Sequence, residues 1–169
     1  MKPLFLFLFF SFFTFGQSIN DLIIQKVNKY RIQNKLVPYK VNEKAKPLNE
    51  QQLSYMSSTN TVPLDHSQKI KTSYPKTFNN FDERVKYVNR TGFNFFGENL
   101  YGAVYQGTAE QVASEIFNAW VNSPSHNKLL LDPYFTGIFV NYVIDDEFII
   151  GSNVYTGDNY IFCVLTVCQ

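Results

Sequence analysis

The last third of the chain, from Tyr134 to Val167, most constrains the fold. It reads YFTGIFVNYVI, then Asp145-Asp146, then EFIIGSNVYT, then Gly157-Asp158, then NYIFCVLTV. β-branched and aromatic residues dominate each run, and both separators carry residues that favour turns. The pattern predicts three strands joined by short turns, an antiparallel meander. Upstream of Tyr134 the periodicity is mainly helical, apart from a short extended segment at Phe95 to Leu100. Helices first and strands last give an α+β domain. The expected form is a three-layer α-β-α sandwich, with helices on both faces of a small, largely antiparallel sheet.

Four helical stretches are legible. From Ser18 to about Lys35, Leu22, Ile23, Val27, Tyr30 and Leu36 approximate one apolar stripe, with Asn20 and Asp21 as cap residues and Pro38 as the stop. A second run, Asn42 to Ser57, points Ala45, Leu48, Leu53 and Met56 inward. Pro47 there means either a delayed start or a kink. Phe81 to Val88 is short and amphipathic, and Gly92 follows as its stop. Thr108 to Val121 is the clearest, capped by Thr108, with Val112, Ile116, Ala119 and Trp120 as its stripe. Ser123-Pro124 then restarts a helical turn, with Ser123 as cap and Pro124 at the first helical position.

The chain has 169 residues and a formal net charge of +1. That length suits one domain with a sizeable core. The balanced charge, with no basic stripe, argues against nucleic acid as a partner. Residues 1–16 hold one Lys and then an apolar run of roughly 12 residues, too short for a spanning helix. Thr14 and Gly16 follow at the positions a signal peptidase favours. The segment reads as a secretory signal peptide, with an uncleaved anchor as the alternative, and residues 18–167 form the domain. The expected location is outside the cell membrane, extracellular or periplasmic, with no stable membrane span after cleavage. Export permits disulfides, but Cys163 and Cys168 are five apart on one strand and point to opposite faces. No intramolecular bridge is expected. Asn89-Arg90-Thr91 is a glycosylation sequon, meaningful only on a eukaryotic secretory route.

The candidate site residues are few. His66 and His126 are the only histidines. His66 lies in a polar loop, where an isolated histidine is commonly a solvated surface group. Glu98 is enclosed by Phe95, Phe96, Leu100 and Tyr101. A carboxylate in that company needs a partner. Glu115 falls at the edge of its helix stripe, neither fully in nor fully out, which also describes an ordinary solvated flank.

Taken together, LDHS, FGENL and AWVNSPSHNKLLL resemble the CAP superfamily of cysteine-rich secretory proteins, antigen 5 and pathogenesis-related 1 proteins, in its bacterial form. The resemblance covers Ser18 to Val167. It implies an α-β-α sandwich whose central cleft is lined by His66, Glu98, Glu115 and His126. It further implies that His66 and His126 hold a divalent metal, zinc foremost, with the two carboxylates nearby. Ser125 stands where bacterial members usually carry Gly, and GIFVNY replaces a strand usually built of small residues.

Two functions fit. The first is a secreted binding or interaction module for a small molecule, lipid or protein, with a weak, exchangeable metal in its cleft. Two imidazoles fall short of the three protein ligands usual for catalytic zinc. The second is a metal-dependent or acid–base hydrolase in which Glu98 or Glu115 activates water. No HExxH or GxSxG motif supports a named hydrolase class.

Overall fold

A computed structural model describes residues 17–62, 64–68, 77–88, 96–150 and 152–169. The proposed signal peptide, the Asn89 sequon and Gly92 lie outside the described residues.

The elements in chain order are α1 (Ile19–Gln33), β1 (Lys40–Val41), a 3-10 turn (Glu43–Ala45), α2 (Lys46–Thr59), β2 (Thr61–Val62), α3 (Phe81–Val88), β3 (Phe96–Val104), α4 (Ala109–Asn122), α5 (Pro124–Leu130), β4 (Gly137–Ile150) and β5 (Asn153–Cys168). The expected α+β sandwich is what forms. Strand order is β1-β4-β5-β3, with β2 also pairing β4. β5 is antiparallel to both β3 and β4, whereas β1 and β2 run parallel to β4.

The strand pattern departs from the expected meander. Asp145-Asp146 is not a turn: β4 runs through it, with a register shift between Asp145 and Glu147. At this irregularity one β4 residue, Asp146, stands against three of β5, residues 157–159, so the extra residues belong to β5 and the ladder continues beyond them. Gly157-Asp158 lies inside β5, where Gly157 adopts φ +91° with open space around it. Three short strands are therefore two long ones, β4 ending at Ile150 and β5 starting at its partner Asn153.

Alternation along β5 builds the layers. Ile161, Cys163, Leu165 and Val167 pack against Ile19, Ile23 and Val27 of α1 and Val112, Ala113, Ile116 and Trp120 of α4. Tyr160, Phe162 and Val164 face Leu53 and Met56 of α2. A strand covered on both faces favours apolar residues at every position, which explains the run from Tyr160 to Cys168, interrupted only by Thr166, whose buried hydroxyl accepts from Asn49 Nδ2 at 3.2 Å. Both cysteines are free and buried, and Cys163 belongs to the first of these cores.

Capping differs in detail from the expectation. Ser18, not Asn20 or Asp21, caps α1 by accepting from the Asp21 amide at 3.2 Å. Lys35, at φ +62°, turns the chain out before Pro38 is reached. Pro47 marks a delayed start, since α2 begins at Lys46 after the 3-10 turn. Thr108 and Gln111 form a reciprocal capping box on α4. The α4 stripe is completed by Ala113, while Ala119 is exposed. No helix among the described residues is long and apolar enough to cross a membrane.

Candidate functional site

β3 is an edge strand, and its first four residues carry the site. Alternation sends Glu98 to the α2 face and Gly97 and Asn99 to the α5 face. A cavity of about 390 Å³ wraps this edge, lined by His66, Phe81, Phe96, Gly97, Glu98, Asn99, Ser125, His126 and Leu129. The two histidines thus meet across the end of the sheet, one from each layer.

On the α2 side, His66 Nδ1 lies 2.9 Å from Glu98 Oε1. The same oxygen accepts from Arg84 Nη2 at 2.6 Å. Glu98 and Arg84 are fully buried, while 43% of the His66 side chain remains exposed. Arg84 also donates to the Leu48 carbonyl at 3.3 Å and lies over the Phe81 ring. Gln52 of α2 donates to the Asp65 carbonyl at 2.9 Å, fixing the backbone next to His66. Glu98 Oε2 and Arg84 Nε have no partner among the described residues.

On the α5 side, Asn99 Nδ2 donates to the His126 carbonyl at 3.2 Å. Gly97 lets α5 approach, because a Cβ there would run into Leu129. Pro124 takes the expected first helical position, but the Ser123 side chain makes no capping bond and instead pairs with Ser125 Oγ at 3.4 Å. Arg31 holds the far end of α5. It is 1% exposed, donates to the carbonyls of Val37, Leu130, Asp132 and Phe135, and lies 3.6 Å above the Tyr39 ring. Burial pushes the Tyr39 hydroxyl up to about 12, so it stays protonated and donates to the Leu129 carbonyl. His126 binds its proton less readily than an ordinary imidazole, through burial first and the charge of His66 second.

Of the four residues expected at the cleft, the structure brings together His66, Glu98 and His126. Glu115 is not among the lining residues. It is exposed on α4 and accepts a hydrogen bond from Tyr101 at 2.9 Å. Burial and this bond together raise the Tyr101 hydroxyl well above its usual range. The fit to a metal is limited. No group of three or more His, Cys, Asp or Glu among the described residues is placed to hold one. The two imidazoles that line the cavity fall short of the three protein ligands usual for a catalytic zinc centre.

A family model for the cysteine-rich secretory protein (CAP) family matches residues 24–165. Solved structures share the fold. An outer surface protein of Borrelia burgdorferi aligns with TM-score 0.58 and 17% identity, covering 88% of this chain and 91% of that one. An extracellular SCP-domain protein of Bacillus anthracis aligns with TM-score 0.57 and 18% identity over 89% of this chain. A cysteine-rich secretory protein of Staphylococcus aureus gives TM-score 0.54 and 12% identity over 89%. The chain spans 40% of the Bacillus chain and 39% of the Staphylococcus chain. Among curated proteins no sequence match was found.

Proposed function

The chain belongs to the cysteine-rich secretory protein (CAP) family, and from that premise we propose that it is an exported binding or interaction module whose cleft takes a divalent cation weakly on His66 and His126. One observation carries this reading: the only two histidines of the chain line a single cavity. The lowered proton affinity of His126 keeps its ring neutral and able to coordinate. Zinc, which accepts imidazole nitrogen readily, is the first candidate. When bound, such an ion would polarise whatever group completes its shell. The apolar wall of Phe81, Phe96 and Leu129 suits a partner or small molecule with an apolar portion.

Export is supported by the N-terminal apolar segment and by the outer-surface, extracellular and secretory descriptions of the similar structures. A hydrolase using two carboxylates is disfavoured. Glu115 lies away from the cavity, and Glu98 already accepts from Arg84 and His66.

Titration calorimetry with Zn²⁺ tests the proposal. The expected result is weak binding near pH ~7.5 that is weaker still near pH ~5, since protons compete for both rings. The His66→Ala plus His126→Ala variant should abolish it. Equal affinity at the two pH values, or binding that survives the double substitution, overturns the cation site.

A further inference from the structure

We propose that Arg84 is a positioning residue of the cleft: by holding Glu98 Oε1 it fixes His66 as the Nδ1–H tautomer, leaving Nε2 as the ring nitrogen offered to an occupant. The tautomer assignment stands on geometry alone, and only its effect on Zn²⁺ affinity rests on the cation reading above.

Arg84 is anchored from two directions. Nη1 donates to the Leu48 carbonyl on α2, and Nη2 donates to Glu98 on β3. The guanidinium is wholly buried, so it has no solvent to turn toward. It therefore fixes where Glu98 Oε1 sits. That oxygen faces His66 Nδ1 at 2.9 Å. A carboxylate only accepts hydrogen bonds, so the facing ring nitrogen must carry the proton. In the neutral ring, Nε2 is then a bare lone pair. Phe81, on the same helix as Arg84, meets the His66 ring edge-on at 6.5 Å and limits its rotation. One eight-residue helix thus sets both the protonation pattern and the plane of His66.

The simpler role for Arg84 is to neutralise a buried carboxylate. Two variants separate neutralisation from orientation. Glu98→Gln removes the charge but keeps an acceptor oxygen. With Arg84 present, that oxygen must still face Nη2 and therefore His66. Arg84→Met combined with Glu98→Gln leaves no buried charge, and the introduced amide is free to turn its NH₂ toward Nδ1.

Nitrogen-15 NMR on the full chain labelled at histidine reads the tautomer directly. The two rings are distinguished with His126→Asn. In the wild type, the neutral His66 should carry its proton on Nδ1. The signature should persist in Glu98→Gln and give way to a mixture with the Nε2–H form in the paired variant. Zn²⁺ affinity should fall about tenfold from Glu98→Gln to the paired variant, as for loss of other partners that orient metal-binding histidines. A wild-type His66 protonated on Nε2 overturns the proposal, and this measurement holds even if a variant fails to fold. A paired variant that keeps the single Nδ1–H signature also overturns it. The expected tautomer without Zn²⁺ binding supports the role of Arg84 and removes the cation site instead.

Discussion

Burial and the neighbouring His66 both make His126 harder to protonate. In the unfolded chain the ring titrates near its ordinary value, about 6.5. As pH falls below that, the unfolded chain takes up a proton that the folded chain resists, so stability declines toward the lowered folded value. His126→Asn removes this contribution. Urea titrations in chelator at about pH 7.5 and about pH 5 should show the variant losing less stability than the wild type over that interval. An equal loss contradicts the assignment. Trp120 carries a different load: it is 1% exposed, and its indole donates to the Leu100 carbonyl at 3.0 Å. Trp120→Ala should cost about 3–5 kcal/mol in denaturant unfolding, and an undiminished variant would show that the core can collapse around the gap. Glu98 was legible from its apolar neighbours, because a buried carboxylate demands a partner. Arg84 and Arg31 were not. A search for apolar stripes passes over charged residues, although Arg31 follows Ile23 and Val27 at spacings of four and Arg84 follows Phe81 at three. A charge in phase with a buried stripe is the signal that would have found them. For Glu115 helical phase gave no answer, since a flank position can face a strand tyrosine or a cleft equally well.

Among the elements, α5 depends most on its neighbours. It has seven residues, too few to be stable alone, yet it carries His126. Arg31 secures it by binding the Leu130 carbonyl at its end and those of Asp132 and Phe135 just beyond. Arg31→Met should destabilise the protein by about 3 kcal/mol, because several buried carbonyls lose a charged donor at once. Zn²⁺ binding should weaken with it; unchanged stability by urea titration would rule out this anchoring role. Gly97 governs the other contact of α5. Gly97→Ala should cost about 1–3 kcal/mol by overpacking against Leu129. Adding Leu129→Ala should recover part of that loss in a double-mutant cycle, and strict additivity would mean that the two positions do not touch. Helix positions were legible because periodicity and caps act locally. The two long strands were not, because Asp and Gly look alike in sequence at a turn and inside an exposed or bulged strand. Which applies is decided by a partner strand far along the chain.

For the whole molecule, β5 divides two cores; its inner half is paired on both edges, by β3 and β4, and its outer half by β4 alone. Residues 160–168 are buried, whereas residues 152–157 are exposed. β3 ends opposite Tyr160. Hydrogen exchange should therefore show amides of 160–168 opening only with global unfolding, and those of 153–157 exchanging much earlier. Uniform protection along β5 would contradict this division. The layered fold was legible from the order of helices and strands, and three of four cleft residues were legible through the family motifs. What sequence did not show was how the cleft is assembled around a sheet edge. His66 is carried by the layer of α2, and His126 by the layer of α1 and α4. An occupant gripping both rings would tie together the two layers that pack on opposite faces of the sheet. Its affinity would then report the integrity of either layer: a cavity cut into one core, well away from the histidines, would loosen one jaw of the grip while leaving every residue that touches the occupant unchanged.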